Sequence, residues 1–280
     1  MEIHELQGIE LAADRRGPED APAVLLIAGG AQSMDWWTPG FCELLAAGEL
    51  QVIRYDHRDT GQSSTCPPGH PDYTGDDLAA DPLRLLDALG IRKAHLVGMS
   101  MGGGIAQVIA VRARERVRTL TLIESSPAGG RYGQLPPPSP GLAAGWEEPQ
   151  TEIDWSDETA VIDYRVDSER PYAGPLGFDE ARVRALATLE VGRSRNMQSS
   201  MSNHFIAEPG SSVDPAEIRV PTLVFHSEDD PMFPLPHGEV LARMIPGAGL
   251  VRLKGMGHEI PPPALWDIVV PELRRHLLQG

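Results

Sequence analysis

Residues 95–104, with the sequence HLVGMSMGGG, decide how this chain is interpreted, because they place Ser100 between Gly98 and Gly102. A G-x-S-x-G sequence at a sharp strand-to-helix turn exposes the serine hydroxyl for nucleophilic attack. The alternative is a glycine-rich loop that contains a serine by chance, in a chain with 29 glycines among its 280 residues. The flanking segments distinguish the two, since the nucleophile interpretation needs a strand before the serine and a helix after it.

Short apolar segments rich in β-branched residues alternate with helical segments along much of the chain. This alternation is typical of βαβ units and predicts an α/β fold with a mainly parallel central sheet flanked by helices. Strands are predicted at residues 23–29, 51–57, 94–100, 118–125, 221–228 and 249–255. Helices are predicted at residues 76–91, 102–117 and 264–279. Pro271 is expected to kink or restart the last helix, because proline removes a helical hydrogen bond.

The alternation stops after residue 126 and resumes at residue 221. Residues 127–213 begin rich in Pro and Gly and continue as acidic, helical sequence with 13 Asp or Glu, 7 Arg and no Lys. Such an insertion predicts a mostly helical cap that would lie over the carboxyl ends of the strands as a lid; a solvated helical decoration is the alternative. The predicted division is therefore 1–126 and 214–280 for the core and 127–213 for the cap.

The charge of the chain limits the partners that it can bind. The formal net charge is −16, and no basic run of the kind that binds nucleic acid is present in the sequence. The same negative field disfavours anionic membranes and strongly anionic ligands. We therefore predict a small-molecule substrate that is neutral or cationic, with no nucleic-acid or membrane partner. The sequence does not indicate an oligomeric state.

The cysteine content and the N-terminal sequence bear on the compartment. Cys42 and Cys66 are the two cysteines, too few for a disulfide framework or a metal-ligand cluster. The first residues are charged and lack the apolar core of a signal peptide, and no apolar run approaches the roughly 20 residues that span a bilayer. These features predict a cytoplasmic protein without a structural metal.

The residues around Ser100 also predict how a developing oxyanion would be held. Side chains at positions 98 and 102 would collide in a tight strand-turn-helix, which explains the two glycines. The helix that follows directs free N–H groups at the site, and the N–H of Met101 is the first of them. A second donor is predicted at the N–H of Gly30 in LLIAGGAQS, where a backbone without Cβ can approach a ligand closely. A simple glycine turn is the alternative there.

A serine nucleophile needs a general base, which in this chain has to be a histidine. His258 lies in LKGMGHEI, directly after the last predicted strand, where it can reach a serine at a strand end. His57, His226 and His237 also lie near strand ends and stay open as alternatives. His258 is preferred because it completes the chain order Ser…Asp…His.

The base in turn needs a carboxylate that orients it and stabilises the imidazolium. The segment VFHSEDDPMFP offers Asp229 and Asp230 directly after a predicted strand. Asp230 is preferred because it stands where the chain turns outward at Pro231. Glu124 is a second alternative, since it ends the strand next to that of the nucleophile.

With these residues assembled, the sequence resembles the α/β-hydrolase fold enzymes over about residues 1–126 and 214–280. The resemblance rests on LLIAGGAQS, VIRYDHRDTGQSS, HLVGMSMGG, PTLVFHSEDDPMFP and GMGH. Within the fold, RYDHRDTGQS, DDPMFPLPHG and GMGH are most similar to the anthracycline (aclacinomycin) methylesterases. That resemblance implies a triad of Ser100, Asp230 and His258, an oxyanion hole formed by the amides of Gly30 and Met101, and no cofactor.

The resemblance also implies an activity and has two departures. It implies a serine hydrolase that cleaves a carboxylic ester through an acyl-enzyme, with the methyl ester of a polyketide-like aromatic acid as the suggested substrate. Ala28 stands where many members of the fold have histidine, so the first oxyanion loop must be held differently. The likeness fades across the cap, whose Trp and Tyr residues suggest a bulky ligand.

Other activities of the same fold are open alternatives. A lactonase, a thioesterase or a carbon–carbon bond hydrolase would use the same triad, because the pocket rather than the fold sets the substrate. A non-catalytic ligand-binding protein that kept these residues is a third hypothesis, against which the intact set of Ser, Asp and His argues.

Overall fold

The computed structural model describes residues 1–148 and 152–279. Residues 149–151, which fall in the predicted cap, and residue 280 lie outside the described residues. The described chain forms an eight-stranded sheet with the strand order β1-β2-β4-β3-β5-β6-β7-β8. The strands are β1 (Glu2–Leu6), β2 (Ile9–Arg16), β3 (Ala23–Ile27), β4 (Gln51–Tyr55), β5 (Ala94–Met99), β6 (Val117–Ile123), β7 (Thr222–Ser227) and β8 (Gly249–Leu253).

The pairing of the strands confirms the predicted α/β fold. Strands β3 to β8, which match the six predicted segments, pair in parallel. The two N-terminal strands were missed by the sequence analysis; they pair antiparallel with each other, and β2 also pairs antiparallel with β4. β1 is one of the two edge strands and is largely exposed, so its sequence carries the charged residues that edge strands tolerate instead of an apolar run.

Helices cover both faces of the sheet, and the period-2 alternation of β3 shows why. Leu25 and Ile27 belong to an apolar cluster on one face with residues of α2 (Gly75–Ala88) and α3 (Met101–Arg112). Val24 and Leu26 belong to a second cluster on the other face with residues of α1 (Pro39–Ala46) and α9 (Trp266–Gln279). A further helix, α8 (Pro236–Met244), follows β7.

Pro271 was expected to kink or restart the last helix, and the restart is not observed. α9 runs from Trp266 to Gln279 without a restart at Pro271. The proline ring is exposed, while Val269, Val270 and Leu273 are buried on the same helix. Burial of this apolar face outweighs the single helical hydrogen bond that proline removes. None of the described helices combines the length and the hydropathy that crossing a membrane requires.

Helices α4 (Pro140–Glu147), α5 (Glu158–Glu169), α6 (Glu180–Arg193) and α7 (Met197–Ile206) lie between β6 and β7. Buried polar contacts join them to the loop after β3. Glu190 binds Arg165 at 2.8 Å and accepts hydrogen bonds from the Ser33 amide at 2.8 Å and from the Trp36 indole at 3.0 Å. The helical insertion is thereby tied directly to a loop that follows a central strand. The domain boundaries at 126 and 214 remain a prediction.

Candidate active site

Ser100 lies at a sharp turn between β5 and α3. Its backbone φ is +51°, a left-handed value that a residue with a Cβ seldom adopts. A Cβ on Gly98 would lie 2.3 Å from the carbonyl oxygen of Gly102, and a Cβ on Gly102 would lie 2.3 Å from that of Ile27. Both distances are far below van der Waals contact, so glycine is required on steric grounds on either side of the serine.

Ser100, His258 and Asp230 are brought together by three separate segments of the chain. The distance between Ser100 Oγ and His258 Nε2 is 2.9 Å, and the distance between His258 Nδ1 and Asp230 Oδ2 is 2.8 Å. Both are hydrogen bonds of ordinary length. The hydroxyl is thus linked to a carboxylate through an imidazole, the arrangement that activates a serine for nucleophilic attack.

The Asp230 carboxylate is held from its other side by the backbone. Its Oδ1 accepts hydrogen bonds from the N–H groups of Met232 at 2.7 Å and Phe233 at 2.9 Å. Burial alone would raise the pKa of Asp230, but the neighbouring His258 and these hydrogen bonds hold the pKa well below its usual value. Asp230 is therefore a fixed, ionised acceptor for the imidazole.

The His258 imidazole is enclosed by two aromatic rings and by the insertion. The ring centroids of Tyr172 and Phe233 lie 6.0 and 5.3 Å from that of His258. The backbone N–H of His258 donates to the carbonyl of Tyr172 at 2.8 Å. The described chain between α5 and α6 thus contacts the base directly.

The two alternative carboxylates make other hydrogen bonds. Asp229 is exposed and accepts a hydrogen bond from the Gly255 amide at 2.8 Å, in the loop after β8. Glu124 is fully buried at the end of β6, and its Oε1 accepts from the Ser227 amide at 2.7 Å. Neither is hydrogen-bonded to His258, which Asp230 contacts instead.

The alternative histidines make structural hydrogen bonds. His57 Nε2 donates to the Ala28 carbonyl at 3.1 Å, and its pKa is lowered to about 3 by burial. His226 Nε2 donates to the Phe233 carbonyl at 2.6 Å. His237 lies 2.8 Å from the hydroxyl of Ser126 through Nδ1. None of the three contacts Ser100, so the geometry favours His258 as its base.

The two predicted oxyanion donors belong to the loop after β3 and to the first residue of α3. Neither the Gly30 N–H nor the Met101 N–H donates a hydrogen bond to another described residue. A Cβ on Gly30 would lie 3.8 Å from Met101 Sδ, so the loop after β3 borders the start of α3. Backbone amides that have no protein acceptor can bind a negative oxygen.

The loop after β3 is held by residues that the sequence analysis did not identify. The Gly29 amide donates to Gln32 Oε1 at 3.1 Å, and the Ala31 amide donates to His204 Nδ1 at 3.0 Å. Together with the hydrogen bond from His57 to the Ala28 carbonyl, these contacts explain how the loop keeps its shape with alanine at position 28.

His204 is the unexpected member of this set. It belongs to α7, 173 residues after Ala31, and its Nε2 donates to the Arg58 carbonyl at 2.7 Å. Burial lowers the pKa of His204, so the ring stays neutral and Nδ1 keeps its lone pair. No pattern in the sequence indicated this role, because the contact exists only once the insertion is folded against the core.

Arg58 and Asp59 of the DHRDTGQS segment act structurally. The Arg58 guanidinium binds Asp81 of α2 through two hydrogen bonds of 2.6 and 2.9 Å. Asp59 accepts from the Tyr73 hydroxyl at 2.6 Å and from the Asn203 amide at 3.0 Å. These contacts fix the segment that carries the acceptor of His204.

One cluster in the described part of the chain has the donor spacing of a metal site. Atoms of Glu124, Asp230 and His258 lie within 4.8 Å of one another. His258 Nδ1 already donates a hydrogen bond to Asp230 Oδ2 at 2.8 Å, and His258 Nε2 is hydrogen-bonded to Ser100 Oγ. The arrangement is that of a hydrogen-bonded relay rather than of a set of metal ligands.

Comparisons with known proteins agree with this geometry. The alpha/beta hydrolase fold family matches residues 22–262. The rhodomycin D methylesterase of Streptomyces peucetius is 37% identical over 263 residues, which cover 87% of each chain. That of Streptomyces sp. (strain C5) is 38% identical over 263 residues, also 87% of each chain. The solved enol-lactonase from Burkholderia xenovorans LB400 superimposes with a TM-score of 0.75 at 23% identity, over 99% of this chain and 100% of the other.

The solved structure supports the fold alone, because its sequence identity is low. The two methylesterases match most of the chain at a much higher identity. They confirm the predicted family and the predicted class of activity, hydrolysis of carboxylic esters. The chain therefore belongs to the α/β-hydrolase fold family and, within it, to the anthracycline methylesterases that its sequence resembles.

Proposed function

We propose that Ser100, His258 and Asp230 are the catalytic triad of this hydrolase and that it cleaves the methyl ester of a bulky aromatic acid through an acyl-enzyme. The observation that carries the proposal is the unbroken hydrogen-bond path from Ser100 Oγ through the imidazole to the carboxylate, with distances of 2.9 and 2.8 Å. The nucleophile, the base and the orienting acid are all side chains, so the proposed reaction requires no cofactor.

In the first half of the reaction, Ser100 Oγ forms a bond to the ester carbonyl carbon while its proton passes to His258 Nε2. The carbonyl oxygen becomes an oxyanion, which the amides of Gly30 and Met101 stabilise. Asp230 stabilises the imidazolium that has formed. The intermediate then expels methoxide, which takes the proton from His258 and leaves as methanol.

The second half repeats these steps with water in place of the serine. His258 Nε2 accepts a proton from water as the water oxygen bonds to the acyl carbon. The bond to Ser100 Oγ breaks, the serine recovers its proton from the imidazolium, and the carboxylic acid is released. The same two amides hold the second oxyanion, so one site serves both halves.

Exposed aromatic side chains on both sides of the triad support a bulky aromatic substrate. Phe205, 67% exposed, lies against the oxyanion loop, since a Cβ on Gly30 would come 3.1 Å from its Cε1. On the side of His258, the Trp146 indole donates to the Tyr172 hydroxyl at 3.3 Å and is 49% exposed. Apolar rings left in solvent beside a reaction centre favour a flat, uncharged ligand.

We expect Phe205→Ala to weaken binding of an aromatic ester without slowing a small one. Loss of one stacking surface should raise KM for a methyl anthracenecarboxylate about tenfold. The kcat/KM for methyl butyrate should stay within about twofold of wild type, since a small ester does not reach the ring. Steady-state kinetics on both esters would measure this. Ile268→Ala, which removes another exposed apolar side chain, on α9, is the control, and equal losses on both esters would contradict the assignment.

We expect substitutions of His204 to change turnover according to which ring nitrogen they replace. Asn places its carbonyl near Nδ1 and can still accept from Ala31, whereas Gln reaches the Nε2 side and leaves that amide without its acceptor. His204→Gln should therefore lower kcat about tenfold to 100-fold through displacement of the oxyanion loop, with little change in KM. His204→Asn should keep most of the activity. Equal losses of kcat in the two variants would show that His204 acts only by packing.

The test of the proposed function combines labelling with substrate screening. A fluorophosphonate probe should form an adduct on Ser100, located by the mass of the labelled peptide. Methyl esters of polyaromatic acids should then release methanol faster than lactones or thioesters of similar size. An adduct without methyl ester hydrolysis would indicate that the protein is a lactonase or a thioesterase instead. Folded protein that binds aromatic esters but gives no adduct would favour the ligand-binding hypothesis. The predicted cytoplasmic location and the absence of nucleic-acid partners remain predictions.

A further inference from the structure

Glu124 is a buried acid that the proposed reaction does not use. It follows β6, its side chain is fully buried, and its φ of +43° is in the left-handed region. Oε1 accepts from the Ser227 amide at 2.7 Å, while Oε2 receives no hydrogen bond from any described residue. A buried carboxylate oxygen without a donor is costly, so the protonation of this group needs an explanation.

The surroundings of Glu124 contain a second carboxylate and no strong cation. Atoms of Glu124, Asp230 and His258 lie within 4.8 Å of one another. His226 of β7 also faces Glu124, with its Nε2 3.7 Å from Oε2, but it donates to a backbone carbonyl instead. Glu259, which is paired with Arg182, adds a further negative charge that raises the pKa of Glu124. No Lys or Arg of the described chain is within ion-pair distance of Glu124. Two buried carboxylates this close cannot both be ionised.

The hydrogen bonds decide which carboxyl group carries the charge. Asp230 accepts from two backbone N–H groups and from His258, and three donors stabilise a carboxylate. Glu124 accepts from only one described donor, the amide of Ser227. The proton therefore belongs on Glu124, at Oε2, the oxygen that receives no hydrogen bond from a described residue.

We propose that Glu124 is a neutral carboxylic acid whose Oε2–H donates a hydrogen bond to Asp230 and that it is a positioning residue of the triad. Burial raises the pKa of Glu124 well above its usual value, and the hydrogen bond and charge of Asp230 raise it further. The proposal rests on the proposed function for its catalytic consequence. Glu124 touches no reacting atom and acts by fixing the acid that orients His258.

A neutral donor behind Asp230 has a clear mechanical effect. It restrains the carboxylate without adding a second negative charge. A lysine or arginine in this place would instead neutralise Asp230 and weaken its support of the imidazolium. The arrangement therefore holds the carboxylate rigidly while leaving its full charge for the base.

The first test compares two variants of similar size. Glu124→Gln keeps an N–H donor toward Asp230 and a carbonyl acceptor for Ser227, whereas Glu124→Met keeps neither. We expect Glu124→Gln to stay within about threefold of wild-type kcat and Glu124→Met to lose about tenfold to 100-fold, with KM nearly unchanged. Equal activity of the two variants would overturn the positioning role. A loss on the order of 10⁴-fold in Glu124→Gln would instead mean that Glu124 is an ionised member of the triad.

The second test measures the proton itself and does not depend on catalysis. The infrared difference spectrum of wild type minus Glu124→Gln, at neutral pH, should contain the carbonyl band of a protonated carboxylic acid. Thermal unfolding supplies a further readout. Because the pKa of Glu124 is raised in the folded chain, the contribution of this residue to stability should fall as the pH rises above about 4.

Glutamine at position 124 does not titrate, so its contribution to stability does not depend on pH. The melting temperature of Glu124→Gln relative to wild type should therefore rise by about 5 °C or more between about pH 5 and pH 8. A pH-independent difference, or a carboxylate band in place of the acid band, would overturn the proposal. These readouts also separate its failure from that of the proposed function. A wild-type chain without esterase activity can still show the protonated acid, and an active esterase can lack it.

Discussion

Replacement of Ser100 by alanine should abolish ester hydrolysis, with a loss of kcat on the order of 10⁶-fold. In the proposed reaction this side chain supplies the atom that bonds to the acyl carbon, and no other described hydroxyl is hydrogen-bonded to His258. Fluorophosphonate labelling should disappear together with turnover. Residual hydrolysis should reflect only the oxyanion amides acting on bound substrate and water.

The fold should survive this substitution, because the hydroxyl makes only the hydrogen bond to His258. The Ser100 amide donates to the Ile123 carbonyl at 3.0 Å, and alanine keeps that contact. Ser156→Ala, at an exposed serine before α5, is the control for expression and purification. Wild-type rates in a purified, fully folded Ser100→Ala protein would refute the assignment of the nucleophile, provided that a contaminating esterase is excluded by active-site titration.

The predictable parts of the fold are those in which burial determines the residue types along the sequence. β3 to β8 have apolar, β-branched sequences because most of their residues are covered by helices. β1 carries charged and exposed positions at the edge of the sheet, so the same rule does not apply to it. The continuous helix across Pro271 was unpredictable for a related reason, since packing on the sheet outweighed the local rule.

The candidate site divides in the same way. The glycines around Ser100 are a local consequence of the turn, which is why the motif could be recognised. The sequence favoured Asp230 but left Asp229 and Glu124 open, because all three follow strands. His204 left no trace in the sequence, since its partner Ala31 lies far away in the chain and meets it only through the insertion. Local strain is visible in a sequence, but tertiary hydrogen bonds are not.

Replacement of Asp230 by asparagine should lower kcat by about 10⁴-fold, and the structure explains the direction of the effect. The amides of Met232 and Phe233 donate to Oδ1, so the carbonyl of asparagine must take that position. The NH₂ group then replaces Oδ2 and points a donor at His258 Nδ1. Nδ1 becomes the acceptor, the ring proton moves to Nε2, and Nε2 can no longer accept the proton of Ser100.

The same experiment separates the three carboxyl groups. Asp229→Asn removes a charge next to Asp230 whose carboxylate accepts a hydrogen bond from Gly255 in the loop after β8, so kcat should stay within about threefold of wild type. If Asp230 is the triad acid, its asparagine variant alone should lose several orders of magnitude in kcat with KM nearly constant, while labelling of Ser100 slows in parallel. A comparable loss in Asp229→Asn, or near-normal turnover in Asp230→Asn, would reassign the acid. In either case, inversion of the imidazole tautomer would be excluded as the cause of the lost activity, because only a group that is hydrogen-bonded to Nδ1 can invert the tautomer.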